Sequence, residues 1–173
     1  MNHPVFHIVA IDNNNGIGKG DLMPWSLPGD MRFFQQKTTK TDDENKQNMV
    51  IMGRTTWESI PEKHRPLAKR KNVVLTRKKD YQAKGATVVH SIEEAFDLAD
   101  NSIERVYIMG GASVYAHTID RPEITGLYVT HIDRIFDCDA FYPEIPPVFS
   151  HAEKLGEDED NGIPYEFILH TKA

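Results

Sequence analysis

The sequence predicts an α/β fold: one domain with a central sheet that is mostly parallel and turns antiparallel toward its C-terminal end. Three observations predict it. Apolar runs of strand length alternate with helix-length segments from Val5 to about Tyr115, the pattern of strands joined by helical crossovers. After Pro122 the alternation stops, because residues 125–132 and 163–171 read as strands with no good helix between them. The whole chain is 173 residues, 39% hydrophobic and 27% charged, which suits one globular domain with a real core over residues 1–173.

The same bulk properties exclude several function classes. A net charge of −6 argues against a general nucleic-acid binder, which should be basic. The single cysteine, Cys138, excludes an internal disulfide framework and a cysteine-based metal site, and points to a reducing compartment. The eight histidines show no metal-ligand spacing, so no metal is expected. No stretch approaches a membrane span, and no basic region leads into a long apolar core, so neither membrane nor secretory signal is expected.

In chain order, residues 5–11 form a short apolar run, read as a buried strand. Residues 12–21 are rich in Asn, Asp and Gly, which tolerate unusual backbone angles; they predict a turn-rich loop, either a lid or a plain surface loop, which composition does not decide. Next comes the stretch around which the chain is organised, residues 23–34. Pro28 suits the first residue of a helix, because its missing N–H would be unbonded there; the helix runs from Gly29 to about Lys37. Asp30 and Phe34, four apart, share one face, with Met31 beside them and Trp25 just before, on a loop stiffened by Pro24. A carboxylate among apolar side chains is costly unless paired and has a raised pKa when alone. The group suits a flat, partly apolar ligand with hydrogen-bond donors along one edge; taken alone, Asp30 fits equally a plain place in the helix's first turn, where the dipole favours an acid. Residues 38–47 predict a solvated loop.

Residues 48–52 are a second buried strand, followed by Gly53-Arg54-Thr55-Thr56 opening a short helix that Pro61 ends. Such a strand-to-helix turn offers free N–H groups to an anion, and Arg54, Thr55 and Thr56 add charge and donors. A connector then leads to a third strand, residues 72–76, flanked by basic residues. Lys63, Arg65, Lys69, Arg70, Lys71, Arg77, Lys78 and Lys79 are eight of the chain's 20 basic residues. On an acidic protein they read equally well as the contact for a local anionic partner or as a solvated face. Residues 86–89 are a fourth strand. Ser91 and Glu94 form a capping box opening a helix to about Ala99 that reads as purely structural. Residues 105–109 are a fifth strand, and Gly110-Gly111 turns it into a helix; paired glycines let a backbone approach a phosphate, although this is not the G-x-G-x-x-G fingerprint and a lone Gly-Gly is more often just a tight turn. Residues 157–160, all acidic, read as a solvated hairpin tip.

Ligands of such sheets bind beyond the carboxyl ends of the strands. Arg54-Thr55-Thr56, Thr76-Arg77 and Gly110-Gly111 all fall there. Three anion-friendly features on one edge fit a dinucleotide with an additional phosphate, and Asp30 would sit beside its reactive end.

These motifs resemble dihydrofolate reductases over nearly the whole chain, residues 5 to about 169. They occur in the family's order: Gly16-Ile17-Gly18; Met23-Pro24-Trp25 with Leu27-Pro28-Gly29-Asp30; Ile51-Met52-Gly53-Arg54-Thr55-Thr56-Trp57-Glu58-Ser59; Arg65-Pro66-Leu67 with Arg70-Lys71-Asn72; Met109-Gly110-Gly111-Ala112-Ser113-Val114-Tyr115; and Thr130-His131-Ile132. The resemblance implies an eight-stranded sheet with about four helices, and NADPH-dependent reduction of 7,8-dihydrofolate to tetrahydrofolate for one-carbon metabolism by a cytoplasmic monomer. It implies dihydrofolate and antifolate inhibitors as partners, with no nucleic acid and no membrane. Asp30 would hold the pterin's amino group and adjacent ring N–H, with Thr130 supporting it. Trp25 would hold a water, and a water near Met23 and the lid loop would deliver the proton. Met31, Phe34, Ile60 and Leu67 would line the slot, with Val9 and Tyr115 also at the substrate. Arg70 would take the glutamate carboxylate, and the carbonyls of Ile8 and Met109 would meet the pterin amino group. Ala10, Ile17 and Gly18 would flank the nicotinamide. Arg54, Arg77, Thr55 and Thr76 would take the adenosine 2′-phosphate. Gly110, Gly111, Ala112, Ser113 and Val114 would cradle the pyrophosphate, with Gly53, Thr56, Leu75 and Tyr115 also at the cofactor.

Asp at position 30 is similar to bacterial members, where animal forms carry Glu, whereas residues 59–67 and the loop at 41–47 are similar to the animal pattern. Two rivals stay open at this level. A pyrimidine reductase of riboflavin synthesis shares fold and NADPH use but would not need Asp30 and Arg70 in these roles. A non-catalytic NADP-binding module would bind cofactor without turnover.

Overall fold

The computed structural model describes residues 3–173; the first two positions of the expected domain lie outside the described residues. An eight-stranded sheet has the order β5-β4-β3-β6-β1-β7-β10-β9. Its strands are β1 (Val5–Ile11), β3 (Gln47–Gly53), β4 (Arg70–Leu75), β5 (Thr87–Val89), β6 (Ile103–Ile108), β7 (Ile124–Ile132), β9 (His151–Asp160) and β10 (Ile163–Thr171). The first six of these pair in parallel, and β10 runs antiparallel to both β7 and β9. Met49, Val50, Ile51 and Met52 of β3 are all fully buried, as a strand covered on both faces requires, and that is why it reads as an unbroken apolar run.

Four α-helices flank the sheet: α1 (Pro28–Thr39), α2 (Arg54–Ser59), α3 (Ile92–Asp97) and α4 (Ala112–Thr118). One core contains Met49, Ile51, Val73, Val106 and Val129 with Ala95 near α3's end and Val114 and Tyr115 of α4. The other contains Phe6, Ile8, Val50, Met52 and Val74 with Trp57 of α2, against which Phe33 and Phe34 of α1 pack. Helices therefore cover both faces. No helix among the described residues is long and apolar enough to cross a membrane.

The structure departs from the sequence reading in four places. Residues 12–21 are more than a loop: β2 (Gly16–Gly18) pairs antiparallel with β8 (Ala140–Phe141). Asp12 ties the base of that segment, its carboxylate accepting from the N–H groups of Asn14, Gly16 and Phe136. Thr38, expected in a solvated loop, is buried in the last turn of α1, and Gln47 already belongs to β3. The acidic run is the end of strand β9, not a bare tip. Asp160 there accepts from Gly29 N–H at 2.8 Å and from the Tyr165 hydroxyl at 2.5 Å, so it bonds an otherwise free donor at the start of α1. The box at Ser91 is also only half formed: Ser91 Oγ accepts from Glu94 N–H, whereas the Glu94 carboxylate reaches His90 N–H.

Candidate active site

The site begins where two parallel strands part. β1 pairs with β6 through His7↔Ile108 and no further, while it stays paired with β7 as far as Ile11↔His131. The end of β6 bends toward β3 instead: Met109 N–H donates to Ile51 O, and Gly53 N–H donates to Gly110 O. The split between β1 and β6 opens a cleft of about 1530 Å³ at the carboxyl ends of the parallel strands, where ligands of such sheets bind.

At the back of the split, the Tyr115 hydroxyl donates to Ile8 O at 2.6 Å, which leaves that carbonyl a second lone pair toward the cleft. Ile8, Val9 and Met109 line this wall. Asp30, on the first turn of α1, is half-buried opposite it. Thr130 Oγ1 donates to Asp30 Oδ1 at 2.7 Å, across from β7. Burial pushes the Asp30 pKa up, the Thr130 hydrogen bond pulls it down and the Asp160 charge adds a smaller upward push; the outcome is about 6. Met31, Phe34, Ile60 and Leu67 form an apolar slot leading outward from Asp30. At its outer end Arg70 is braced by Thr38 Oγ1 and Ala68 O, at 3.0 and 2.9 Å, through Nη1 and Nε. Its Nη2 group has no hydrogen-bond partner among the described residues.

Trp25 stands apart from this slot. It lines a smaller adjoining cavity of about 240 Å³ with Met23, Asp30 and Met31. Its ring is buried and its Nε1 has no hydrogen-bond partner among the described residues. A buried donor of this kind calls for a partner in that cavity.

The cleft's other arm runs over the ends of β3, β4 and β6. Ala10, Ile17 and Gly18 lie at its near end, and Gly53, Arg54, Thr55, Thr56, Leu75, Thr76 and Arg77 at its far end. Gly110, Gly111, Ala112, Ser113 and Val114 form the wall between them. Gly110 has φ +114, open to glycine but not to other residues, and its peptide to Gly111 is cis. A Cβ there would meet the Tyr115 ring at 3.3 Å. The first N–H groups of α4 have no partner within the helix and face this arm. Arg54 is ion-paired with Glu58 at 2.8 Å, whereas Arg77 makes no ion pair among the described residues.

Of the basic cluster, Lys63, Arg70, Arg77 and Lys78 line the cleft. Arg65 instead stacks over Trp57 and pairs with Glu62. The sequence reading missed His90, Ser91, Ile92 and Glu93, which line the far arm at the start of α3. Their position directly after a strand, on the same sheet edge as the other three turns, was the available signal. It also missed Phe33, which lines the cleft and stacks on Phe167 at 4.1 Å.

The dihydrofolate reductase family model matches residues 4–172. Among curated relatives, the dihydrofolate reductase of Bos taurus is 41% identical, with 99% of each chain covered. The bifunctional dihydrofolate reductase-thymidylate synthase 2 of Arabidopsis thaliana is 40% identical over 96% of this chain, which spans 31% of that longer protein. A solved structure of Schistosoma mansoni dihydrofolate reductase superposes with a TM-score of 0.84 at 32% identity, all of both chains being covered. The chain therefore belongs to the dihydrofolate reductase family.

Proposed function

We propose that this chain reduces 7,8-dihydrofolate to 5,6,7,8-tetrahydrofolate with NADPH. One observation carries the reading: a half-buried carboxylate, Asp30, braced by Thr130, faces an apolar slot at the point where β1 and β6 part. In water a carboxylate meeting ring N–H groups gains little; in this slot each charge-assisted hydrogen bond is stronger.

The long arm fits the cofactor on its own features. A side chain at Gly110 would crowd Tyr115, one at Gly111 would touch Thr56 Oγ1 at 3.4 Å, and one at Gly53 would press on Val114 at 3.2 Å. Bare backbone at those positions lets this wall pack closely, and we assign the pyrophosphate to the cleft-lining stretch of Gly110, Gly111 and the start of α4, with Ala112, Ser113 and Val114 offering N–H groups. Arg77, Arg54, Thr55 and Thr76 suit a phosphate at the far end by charge and donors. NADPH, when bound, supplies the hydride. The chain's own residues do the rest. Ala10, Ile17 and Gly18 flank one end of the arm beside the slot and exclude water there. The slot formed by Met31, Phe34, Ile60 and Leu67 holds a flat ring, and Arg70 Nη2 meets a carboxylate at its outer end. Asp30 accepts from the pterin's amino group and ring N–H, which orients the ring and favours its protonated form. The cavity shared by Trp25, Met23 and Asp30 has donor and acceptor for a water, the route we assign to the proton. Placement contributes most of the acceleration, and proton supply a further factor.

A single domain over residues 1–173, acting as a monomer, is part of the same proposal. The lone, half-buried Cys138 fits a reducing, cytoplasmic setting. Antifolate inhibitors would enter the same slot. The test is loss of NADPH absorbance on adding dihydrofolate to purified protein, with NADH in parallel. Rapid loss with NADPH and little with NADH is expected; binding of NADPH without any loss would discard the reading.

A further inference from the structure

β1 carries a histidine that none of the chemistry above uses. His7 is 0% exposed and lies on the sheet face against α4. Its Nδ1 is 2.8 Å from Tyr142 Oη and its Nε2 is 2.8 Å from Thr118 Oγ1. The directions follow from Thr118. A hydroxyl has one proton, and Thr118 gives it to the Val114 carbonyl at 2.7 Å, one turn back in α4. Thr118 Oγ1 therefore accepts from His7 Nε2–H. That leaves Nδ1 as an acceptor, and the Tyr142 hydroxyl donates to it. All three side chains are satisfied with the imidazole neutral. Burial also pushes its pKa down to about 3, so the ring stays uncharged near neutral pH.

What this ring touches is the back of the cleft. The Tyr115 ring lies against His7 and Tyr142, with centroids 5.1 and 5.0 Å away. Its hydroxyl holds Ile8 O, one residue after His7, where β1 leaves β6. Tyr142 directly follows β8, and its N–H donates to Asn15 O at 2.8 Å, beside β2. One imidazole thus joins β1, the last turn of α4 and the base of the loop that closes the other side of the cleft. An apolar side chain would fill the volume but would not fix one arrangement, whereas a fully satisfied polar network does.

We propose that His7 is a positioning residue: through Thr118 and Tyr142 it holds Tyr115, the Ile8 carbonyl and the base of the 12–21 segment in the arrangement that the reduction needs. The role rests on the reading of the cleft given above; the network itself does not.

Two measurements test it. The first reads the network without turnover, by two-bond proton–nitrogen correlation at the His7 ring from about pH 5 to 8, the range in which an ordinary imidazole titrates. A neutral Nε2–H tautomer throughout is expected. A ring that titrates in that range, or carries its proton on Nδ1, overturns the proposal. The second is single-turnover reduction of dihydrofolate by wild type, His7→Leu, His7→Gln and Tyr142→Phe with NADPH, each well below its own melting midpoint. Gln keeps one donor and one acceptor at its tip; Leu keeps neither. His7→Leu should slow the step about tenfold, short of the roughly hundredfold that a full 1 Å misplacement costs, and His7→Gln should recover most of it. Equal slowing by Leu and Gln, or none by either, overturns the role. Tyr142→Phe removes one hydroxyl and should slow the step less than His7→Leu. Should the His7 variants not fold, it decides alone: an unchanged rate overturns the role. An inactive wild type overturns the reaction reading and the role with it, whereas an active wild type matched by Tyr142→Phe overturns the role alone.

Discussion

Thr130 and Asp30 stand a hundred positions apart, yet the hydroxyl of one donates to the carboxylate of the other at 2.7 Å. The bond joins the central sheet to the first turn of α1 and fixes which oxygen of Asp30 is left for a ligand. Replacing Asp30 by Asn keeps an oxygen for Thr130 but removes the charge. Turnover of dihydrofolate by Asp30→Asn at neutral pH should fall by about a hundredfold or more, because the charge that favours the protonated pterin, and with it proton supply to the ring, is lost. NADPH binding, followed by fluorescence, should persist. Undiminished turnover would sink the role given to Asp30.

The same acid should weaken the ligand-free fold. Its pKa is raised from 3.8 to about 6, burial being the main cause. Below about pH 4 the acid is protonated whether the chain is folded or not, and it adds nothing to the pH dependence. Between there and pH 6 the unfolded chain releases the proton first, so wild-type stability falls as pH rises through that window. Asp30→Asn lacks the penalty. Its stability advantage over wild type should grow from about pH 4 to 6 and level off above, on the order of 3 kcal/mol. Urea melts of both proteins at several pH values measure the difference, in which other carboxylates cancel. An advantage that is flat with pH would refute this account.

Thr130→Val tests the brace without touching the acid. The hydroxyl donates to the charged form, so its loss should raise the Asp30 pKa further. The acid limb of the kcat/KM profile, which reports the free enzyme, should move to higher pH. A limb that does not move would show that Thr130 has no electrostatic hold on Asp30.

Residues whose roles rest on local chemistry were legible before the structure. Pro28 marks the start of α1, paired glycines mark a close backbone approach, and β3 is unmistakable because both of its faces are buried. Other residues owe their roles to distant partners. Asp160 sits in an acidic run that reads as solvated, and only folding brings it to Gly29 N–H, 131 positions away. Strand β9 is exposed along nearly its whole length, so its charged side chains carry no apolar period; they protect the sheet's edge instead. Ser91 reads as a helix cap, yet it lines the cleft together with its neighbour His90, because a cap on this sheet edge faces the ligand side. His7 looked like one more residue of a buried strand, and its partners lie 111 and 135 positions away.

Arg70→Ala should act on one end of the substrate only. Thr38 and Ala68 hold the guanidinium by Nη1 and Nε, which orients the remaining fork toward the slot at little further entropic cost. KM for dihydrofolate should rise by about tenfold or more, as for loss of a charge-assisted pair. A pterin substrate without the glutamate should be used equally well by both proteins. Equal losses for the two substrates would count against the assignment.

The two arginines proposed for the 2′-phosphate should differ from each other. Arg54 already pairs with Glu58 at 2.8 Å, and Glu58 also accepts from the Tyr81 hydroxyl. To serve a phosphate, Arg54 must share or leave that partner, which offsets part of its gain. Arg77 follows the β4 turn with no such partner among the described residues, so its charge is uncommitted. Arg77→Ala should therefore raise KM for NADPH by about tenfold, and Arg54→Ala by less. Neither should change KM for NADH, which lacks the phosphate, so the preference for NADPH narrows in that order. Salt gives a second reading of the same contact. Exposed charge pairs are screened over about 10 Å at 0.1 M ionic strength. KM for NADPH should thus climb with salt in wild type and climb less steeply in Arg77→Ala. Equal losses for NADPH and NADH, or identical salt slopes in the two proteins, would move the phosphate site away from Arg77.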